Sequence, residues 1–301
     1  MVKFKQKQII NDIRLLSLDM INTAKSGHPG IALGCAPIMY TLFTEYLNFD
    51  YEKPNWSNRD RFVMSCGHGS SLLYSTLFCV TKDYTINDLK RFRRLNSCTP
   101  GHPEYDINHR IEATTGALGQ GFATAVGLAM AEKSLESAFN SKDNILFDYN
   151  IYCLVSDGDL MEGISYEAAA FAGQNKLDNL IVLYDSNKIT LDSELDDNYQ
   201  DKIMKMYIAL GWKVIEVEDG ESVREISKAI ASAKKNKFPT LIVVNTTIGK
   251  YSKYEGTNKI HSTLEVEDLE AIRKKLGGSL PFAIDEENME KYREHIKKNI
   301  I

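Results

Sequence analysis

IYCLVSDGDLMEG (residues 151–163), ISYEAAAFAGQNKL (164–177) and DNLIVLYDSNKI (178–189) follow one another without a break. The first is an apolar run that stops at Ser-Asp-Gly-Asp, and the third is an apolar run that stops at Asp-Ser-Asn. Short apolar runs closed by turn formers are the signature of buried strands. The Ala-rich amphipathic segment between them has the length of a crossover helix. Together they make strand, helix, strand: one βαβ unit of a parallel sheet. Open α/β sheets bind ligands beyond the carboxyl ends of their strands. Asp157 and Asn187 stand at two such ends, 30 residues apart (187 − 157), and both offer hard oxygen ligands. Gly158 lets the backbone come close to a third body. The set suits Mg2+ or Ca2+ holding a diphosphate, because these ions take carboxylate, amide and backbone oxygens together with substrate phosphates. Asp, Gly and Asn also make ordinary turns, so the pair needs support from the rest of the chain.

Upstream, residues 3–25 place Ile9, Ile10, Ile13, Leu16, Leu18, Met20 and Ile21 at helical spacing. That helix is expected to stop at Ser26-Gly27-His28-Pro29-Gly30, and a second is expected over 35–48. RFVMSC (61–66) reads as a short strand feeding Gly67-His68-Gly69-Ser70, followed by a helix over about 71–80. Strand, Gly-rich turn and helix N-terminus together suit an anion. Residues 85–95 read as a helix with Thr85 as N-cap and Asp88 three residues on. Arg91, Arg93 and Arg94 complement the dipole at its end. His102 is held between Gly101 and Pro103 in a rigid loop, and His109 reads as surface. EATTGALGQG (112–121) brings Gly116, Gly119 and Gly121 to the start of a long helix of small residues. Glycines there suit either backbone contact with a ring or phosphate, or close helix packing.

Downstream, 199–210 reads as helix, KVIEV (213–217) as strand, 222–236 as helix and TLIVVNT (240–246) as strand. This alternation predicts an α/β fold, a doubly wound and mostly parallel sheet flanked by helices. Residues 249–262 form a polar loop ending near His261. Residues 263–277 read as a short helix and 278–301 as a charged tail of linker character, so a single domain is expected over 1–277.

The 301 residues are 43% hydrophobic and 26% charged, as in a soluble globular protein. A net charge of −5 gives no footprint for nucleic acid or an acidic membrane. No apolar run reaches the ~18 residues of a transmembrane helix, and the first twenty residues lack the apolar core of a signal peptide. A cytoplasmic location is therefore expected. Cys35, Cys66, Cys79, Cys98 and Cys153 are odd in number and widely spaced, and read as free thiols.

SGHPG (26–30), GHGS (67–70), TPGHP (99–103), EATTGALGQG (112–121), SDGDLMEGISYEA (156–168) and YDSN (184–187) occur in the order found in transketolases. On these motifs the chain resembles the N-terminal, diphosphate-binding domain of that family, from its start to about residue 247. The resemblance implies a thiamine-diphosphate-binding fold with a divalent cation. Asp157, Asn187 and the backbone carbonyl of Ile189 would ligate Mg2+ or Ca2+. Gly158 and His68 would contact the diphosphate, and Gly116 and Leu118 the cofactor rings. His28, His102 and His261 would line the substrate channel, where imidazoles assist proton transfer on sugar oxygens. Glu162 and Glu167 would belong to a carboxylate network at a subunit interface.

Three positions depart from the family pattern: Ser156 replaces the first Gly of its G-D-G signature, Ala117 replaces a common Pro, and His261 precedes Ser-Thr-Leu. Family members run to about twice this length. Their pyrimidine-binding domain carries a glutamate that activates the cofactor. The expectation is therefore the N-terminal half of a transketolase, as a split subunit or as part of a longer protein. It would need a C-terminal partner for ketol transfer between sugar phosphates, and would form a dimer of these domains. Sulfosugar transketolases, dihydroxyacetone synthase and 1-deoxyxylulose-5-phosphate synthase share the same cofactor core. A non-catalytic dimeric scaffold, built on the small-residue helix at 122–131, is the reading from a different class.

Overall fold

The five apolar runs become five strands: β1 (Arg61–Met64), β2 (Ile151–Ser156), β3 (Leu180–Ser186), β4 (Lys213–Val217) and β5 (Thr240–Asn245). In the computed structural model, which describes residues 3–190, 194–196 and 199–299, they form one parallel sheet in the order β1-β2-β3-β5-β4. The register pairs Ile151 with Leu180 and Ser156 with Asp185, so β2 and β3 end side by side. Side chains alternate between two cores, as the period of two requires. Tyr152, Leu154, Ile181, Leu183, Ile242 and Val244 enter one. Ile151, Cys153, Val155, Leu180, Val182, Leu241 and Val243 enter the other. With both faces covered, the strands read as unbroken apolar runs.

Helices α1 (Gln6–Ala24), α2 (Pro29–Glu45) and α3 (Ser70–Val80) cover the first face, followed after the short α4 (Ile86–Lys90) by α5 (Gln120–Phe139) on the second. The short α6 (Asp157–Met161), α7 (Gly163–Gln174) and α8 (Tyr199–Ala209) join α5 there. Helix α9 (Val223–Ala233) returns to the first face, and α10 (Val266–Leu276) packs Leu269, Ile272 and Leu276 against Leu15, Leu18 and Leu33. No helix among the described residues is long and apolar enough to cross a membrane. All five cysteines are free, and burial pushes the Cys66 thiol well above its ordinary range.

Three elements differ from the sequence reading. Helix α2 starts at Pro29, six residues earlier than residue 35, with Pro at its first position and His28 as the residue before it. Nearly every residue of α2 is buried, so it has no polar face to set a helical period. The helix expected over 85–95 keeps its Thr85/Asp88 capping box but stops at Lys90. Arg93 then adopts a left-handed backbone (φ 61°) and turns inward. Finally, the stretch read as a charged tail carries α11 (Glu286–Asn299), whose Met289, Tyr292 and Ile296 are at most 1% exposed in the first core. Their i, i+3, i+7 spacing is one helical stripe, diluted by eight charged neighbours in EENMEKYREHIKKN to the look of a linker.

Candidate functional site

Loops from the carboxyl ends of β1, β2, β3 and β5 close around a cavity of about 560 Å3. His28, His68, Gly116, Leu118, Asp157, Gly158, Asn187, Ile189 and His261 all line it. Each arrives for a local reason. His28 is fixed by the start of α2 behind it. His68 sits in a 3-10 turn, Gly67–Gly69, between β1 and α3. Gly116 has φ +154°, which favours glycine, and a methyl on Gly67 would lie 2.8 Å from the Gly116 amide nitrogen. The two glycine loops therefore touch backbone to backbone. Lys188 takes a left-handed turn (φ 63°) after β3 and returns Ile189 to the cavity wall. Ile189 packs with Ile248 and Ile260, and the buried Ile260 brings its neighbour His261 to the rim.

Asp157 is 2% exposed. Its Oδ1 accepts the Tyr184 hydroxyl, and its Oδ2 is buried with no hydrogen-bond partner among the described residues. Burial pushes its carboxyl up to about 7, against the pull of the Tyr184 hydroxyl. An orphaned, desolvated carboxylate oxygen at a cavity wall is what a cation would satisfy. The Asn187 side-chain amide donates to Asp185 Oδ2 at 2.9 Å, so its oxygen is at the opposite end. There it accepts the Ile189 N–H at 3.0 Å and keeps a second lone pair. Among the described residues no group of three or more His, Cys, Asp or Glu side chains is placed to hold a metal. One carboxylate, one amide and backbone oxygens fit a hard cation only if the ligand supplies further oxygens, as a diphosphate does.

The His28 and His68 rings meet edge to face at 5.2 Å. Burial lowers His28 to about 4 and His68 to about 3, helped in His28 by the Arg93 charge and in His68 by His28 itself. Both imidazoles are neutral at pH 7, and His28 Nδ1 has no partner among the described residues.

Three residues singled out in the sequence stand apart from the cavity lining. His102 is exposed, against Gly116, where a glycine methyl would come within 3.4 Å of its ring. Glu162 and Glu167 are exposed around the start of α7. Two residues at or behind the wall, Arg93 and Asp185, were not singled out for the site in the sequence. Arg93 donates to Ser26 Oγ at 2.9 Å and to the Gly101 carbonyl at 3.4 Å, clamping the His28 and His102 loops, where dipole complementation was expected. Asp185, fully enclosed, also accepts from Thr246. Asp185 belongs to the YDSN motif and could have been flagged as an acid inside an apolar strand. Arg93 could not.

Residues 5–300 match the family model described as transketolase, thiamine diphosphate binding domain. The chain is 45% identical over 292 residues to a transketolase of Aquifex aeolicus, covering 96% of this chain and 42% of that one. It is 50% identical over 258 residues to a transketolase of Staphylococcus aureus, covering 85% and 39%. Among solved structures, a transketolase from Leishmania mexicana superposes with a TM-score of 0.94 at 41% identity, over 98% of this chain and 45% of that one. A Pichia stipitis transketolase in complex with sedoheptulose 7-phosphate gives 0.92 at 39% identity, over 98% and 44%. The chain thus spans about two fifths of the length of the curated relatives it matches. A parallel sheet with this cavity at its carboxyl edge, matched along nearly the whole chain at such identity, makes the chain a member of the transketolase family, in its thiamine-diphosphate-binding domain.

Proposed function

We propose that this chain is the cofactor-binding half of a transketolase, which transfers a two-carbon ketol unit between sugar phosphates together with a C-terminal half from a partner subunit or a further stretch of chain. The observation that carries the reading is the convergence of nine residues singled out in the sequence, seven of them from the motifs, on one cavity with an Asp157 oxygen that has no partner among the described residues. In this reading Asp157, the Asn187 amide and the Ile189 carbonyl hold Mg2+ or Ca2+, and His68 and Gly158 face the diphosphate. Gly116 and Leu118 back the cofactor rings. Bound thiamine diphosphate supplies an electron sink for breaking and making a bond next to a carbonyl.

The protein residues bind, orient and move protons. His28, neutral at pH 7, accepts a hydrogen bond from a sugar hydroxyl at one ring nitrogen and donates from the other. His261 lines the same cavity and His102 packs behind Gly116, and in this reading both imidazoles assist proton transfer on sugar oxygens. Glu162 and Glu167 lie on a face that also exposes Met161, Tyr166 and Phe171 by 40–46%. Apolar side chains grouped beside a cavity suit a covering surface, and we assign that surface to the missing half or a second copy of this domain.

The test is ketol transfer from xylulose 5-phosphate to ribose 5-phosphate with thiamine diphosphate and Mg2+. The chain is assayed alone and mixed with the C-terminal half of a related transketolase. Activity only in the mixture is expected. Activity of the chain alone would refute the need for a second half. No cofactor binding in the mixture would refute the ligand assignment.

A further inference from the structure

The three loops that carry His68, Leu118 and Asp157 lie far apart in sequence and meet on one side chain that does not line the cavity. Asp159 is fully buried. Its Oδ1 accepts Ser65 Oγ–H at 2.6 Å and Gly119 N–H at 2.8 Å. Its Oδ2 accepts Ser156 N–H at 2.9 Å and Ser156 Oγ–H at 3.0 Å. Those four donors match the roughly four acceptor sites of a carboxylate and oppose the burial that pushes its pKa up. Ser65 Oγ in turn accepts the Phe122 N–H at 2.9 Å, so the start of α5 is held at two points. Residues two apart on a helical turn do not share a face. In Ser-Asp-Gly-Asp, one acid is therefore turned to the cavity and the other away from it. Ser156, the departure from the family's Gly, closes a capping box with Asp159.

We propose that Asp159 is a positioning residue, a buried carboxylate that sets the mutual placement of the His68, Leu118 and Asp157 loops and touches no ligand. The proposal rests on the cofactor reading for what the loops hold, but the tie itself is a property of the ligand-free chain. A buried acid kept only for stability would lower the melting temperature and leave the loops in place. A positioning acid changes the loops first. Each buried donor among the four would lose its acceptor, and the Gly119 and Ser65 loops would no longer be referenced to β2.

The experiment uses the full chain as wild type, Asp159→Ala, Asp159→Asn and Ser156→Ala. Hydrogen exchange without ligand reads the tie, and calorimetric titration with thiamine diphosphate and Mg2+ reads its consequence. In Asp159→Ala, exchange should accelerate at Gly119, Phe122 and Ser156 while the amides of β3 and β5 stay protected. Affinity should fall about 10–100-fold, the usual cost of losing a residue that orients ligands from behind. Asp159→Asn keeps an acceptor for Gly119 and Ser65 and turns a donor toward the Ser156 N–H, so it should lie between. Ser156→Ala should loosen only its own turn. Unchanged exchange at 119 and 122 in a folded variant overturns the proposal, and so does faster exchange with unaltered affinity. If Asp159→Ala fails to fold, Asp159→Asn decides on the same readouts. If the wild type alone binds no cofactor, the titration is run in the mixture with a C-terminal half; absence of binding there makes the functional reading fail, while exchange still decides the tie.

Discussion

Asp157→Asn is expected to stabilise the ligand-free chain and to remove its affinity for cation and cofactor. The wild-type carboxylate is 2% exposed and one of its oxygens has no partner among the described residues. Burial raises its pKa from 3.8 to about 7. A folded-state value above the unfolded one means that the native state holds the proton more tightly. The carboxylate therefore costs nothing below pH ~3.8, costs progressively more up to pH ~7, and costs a constant amount above that. About three pKa units at 1.36 kcal/mol each set a ceiling of about 4 kcal/mol. Water reaching the group through the cavity reduces this, and about 2 kcal/mol is the expected gain. Asn keeps an acceptor for the Tyr184 hydroxyl and carries no charge. For a domain of this size the gain amounts to roughly 3 °C in melting temperature. The assay is thermal melting of both proteins in chelator at pH 8 and pH 5, then at pH 8 with Mg2+ and thiamine diphosphate. The variant should melt higher at pH 8, the gap should narrow at pH 5, and the ligands should raise only the wild type. A variant that melts lower than wild type at pH 8 in chelator, or a gap independent of pH, would refute the reasoning.

Tyr292→Ala tests whether α11 belongs to the core. Its ring is 0% exposed, stacks on Tyr40 at 5.8 Å and shares a 2.7 Å hydrogen bond with Thr44 Oγ1. Truncation should cost about 3–5 kcal/mol, read from the urea midpoint, and a loss under 1 kcal/mol would place the segment outside the cooperative unit. With His28 lowered to about 4 and His68 to about 3, neither ring should titrate between pH 8 and 5.5. Their NMR ring resonances should stay fixed over that range, and a midpoint near 6.5 for either would contradict their desolvation.

Much of the candidate site was legible because its chemistry is local. A strand that ends in Asp-Gly, or a histidine between glycines, carries its reason within a few residues. With the order of the six motifs added to that local context, Asp157, Asn187 and His68 could be named before any fold was known, and all three line the cavity. His261 had the weakest local context, and its place depends on Ile260 packing with Ile248 and Ile189. Arg93 and Asp159 were not legible. Arg93 matters because α4 ends at Lys90 and the chain turns left-handed, meeting a serine 67 residues earlier. Asp159 matters because its acceptors reach Gly119 and Ser65, 40 and 94 residues away. Helices α2 and α11 were misread for opposite reasons, one apolar all round and the other apolar on a single narrow stripe.

The sequence by itself determined the strands, the turns that end them and the residue types at those ends, because apolar runs, glycine and short polar side chains act through neighbouring bonds. Tertiary structure alone decided the strand order β1-β2-β3-β5-β4, and with it which loops share a cavity. It also decided which of two acids in Ser-Asp-Gly-Asp keeps one oxygen without a partner among the described residues and which is fully bonded. The desolvation that raises Asp157 and lowers His28 and His68 comes from groups distant in the chain. No window of sequence contains it.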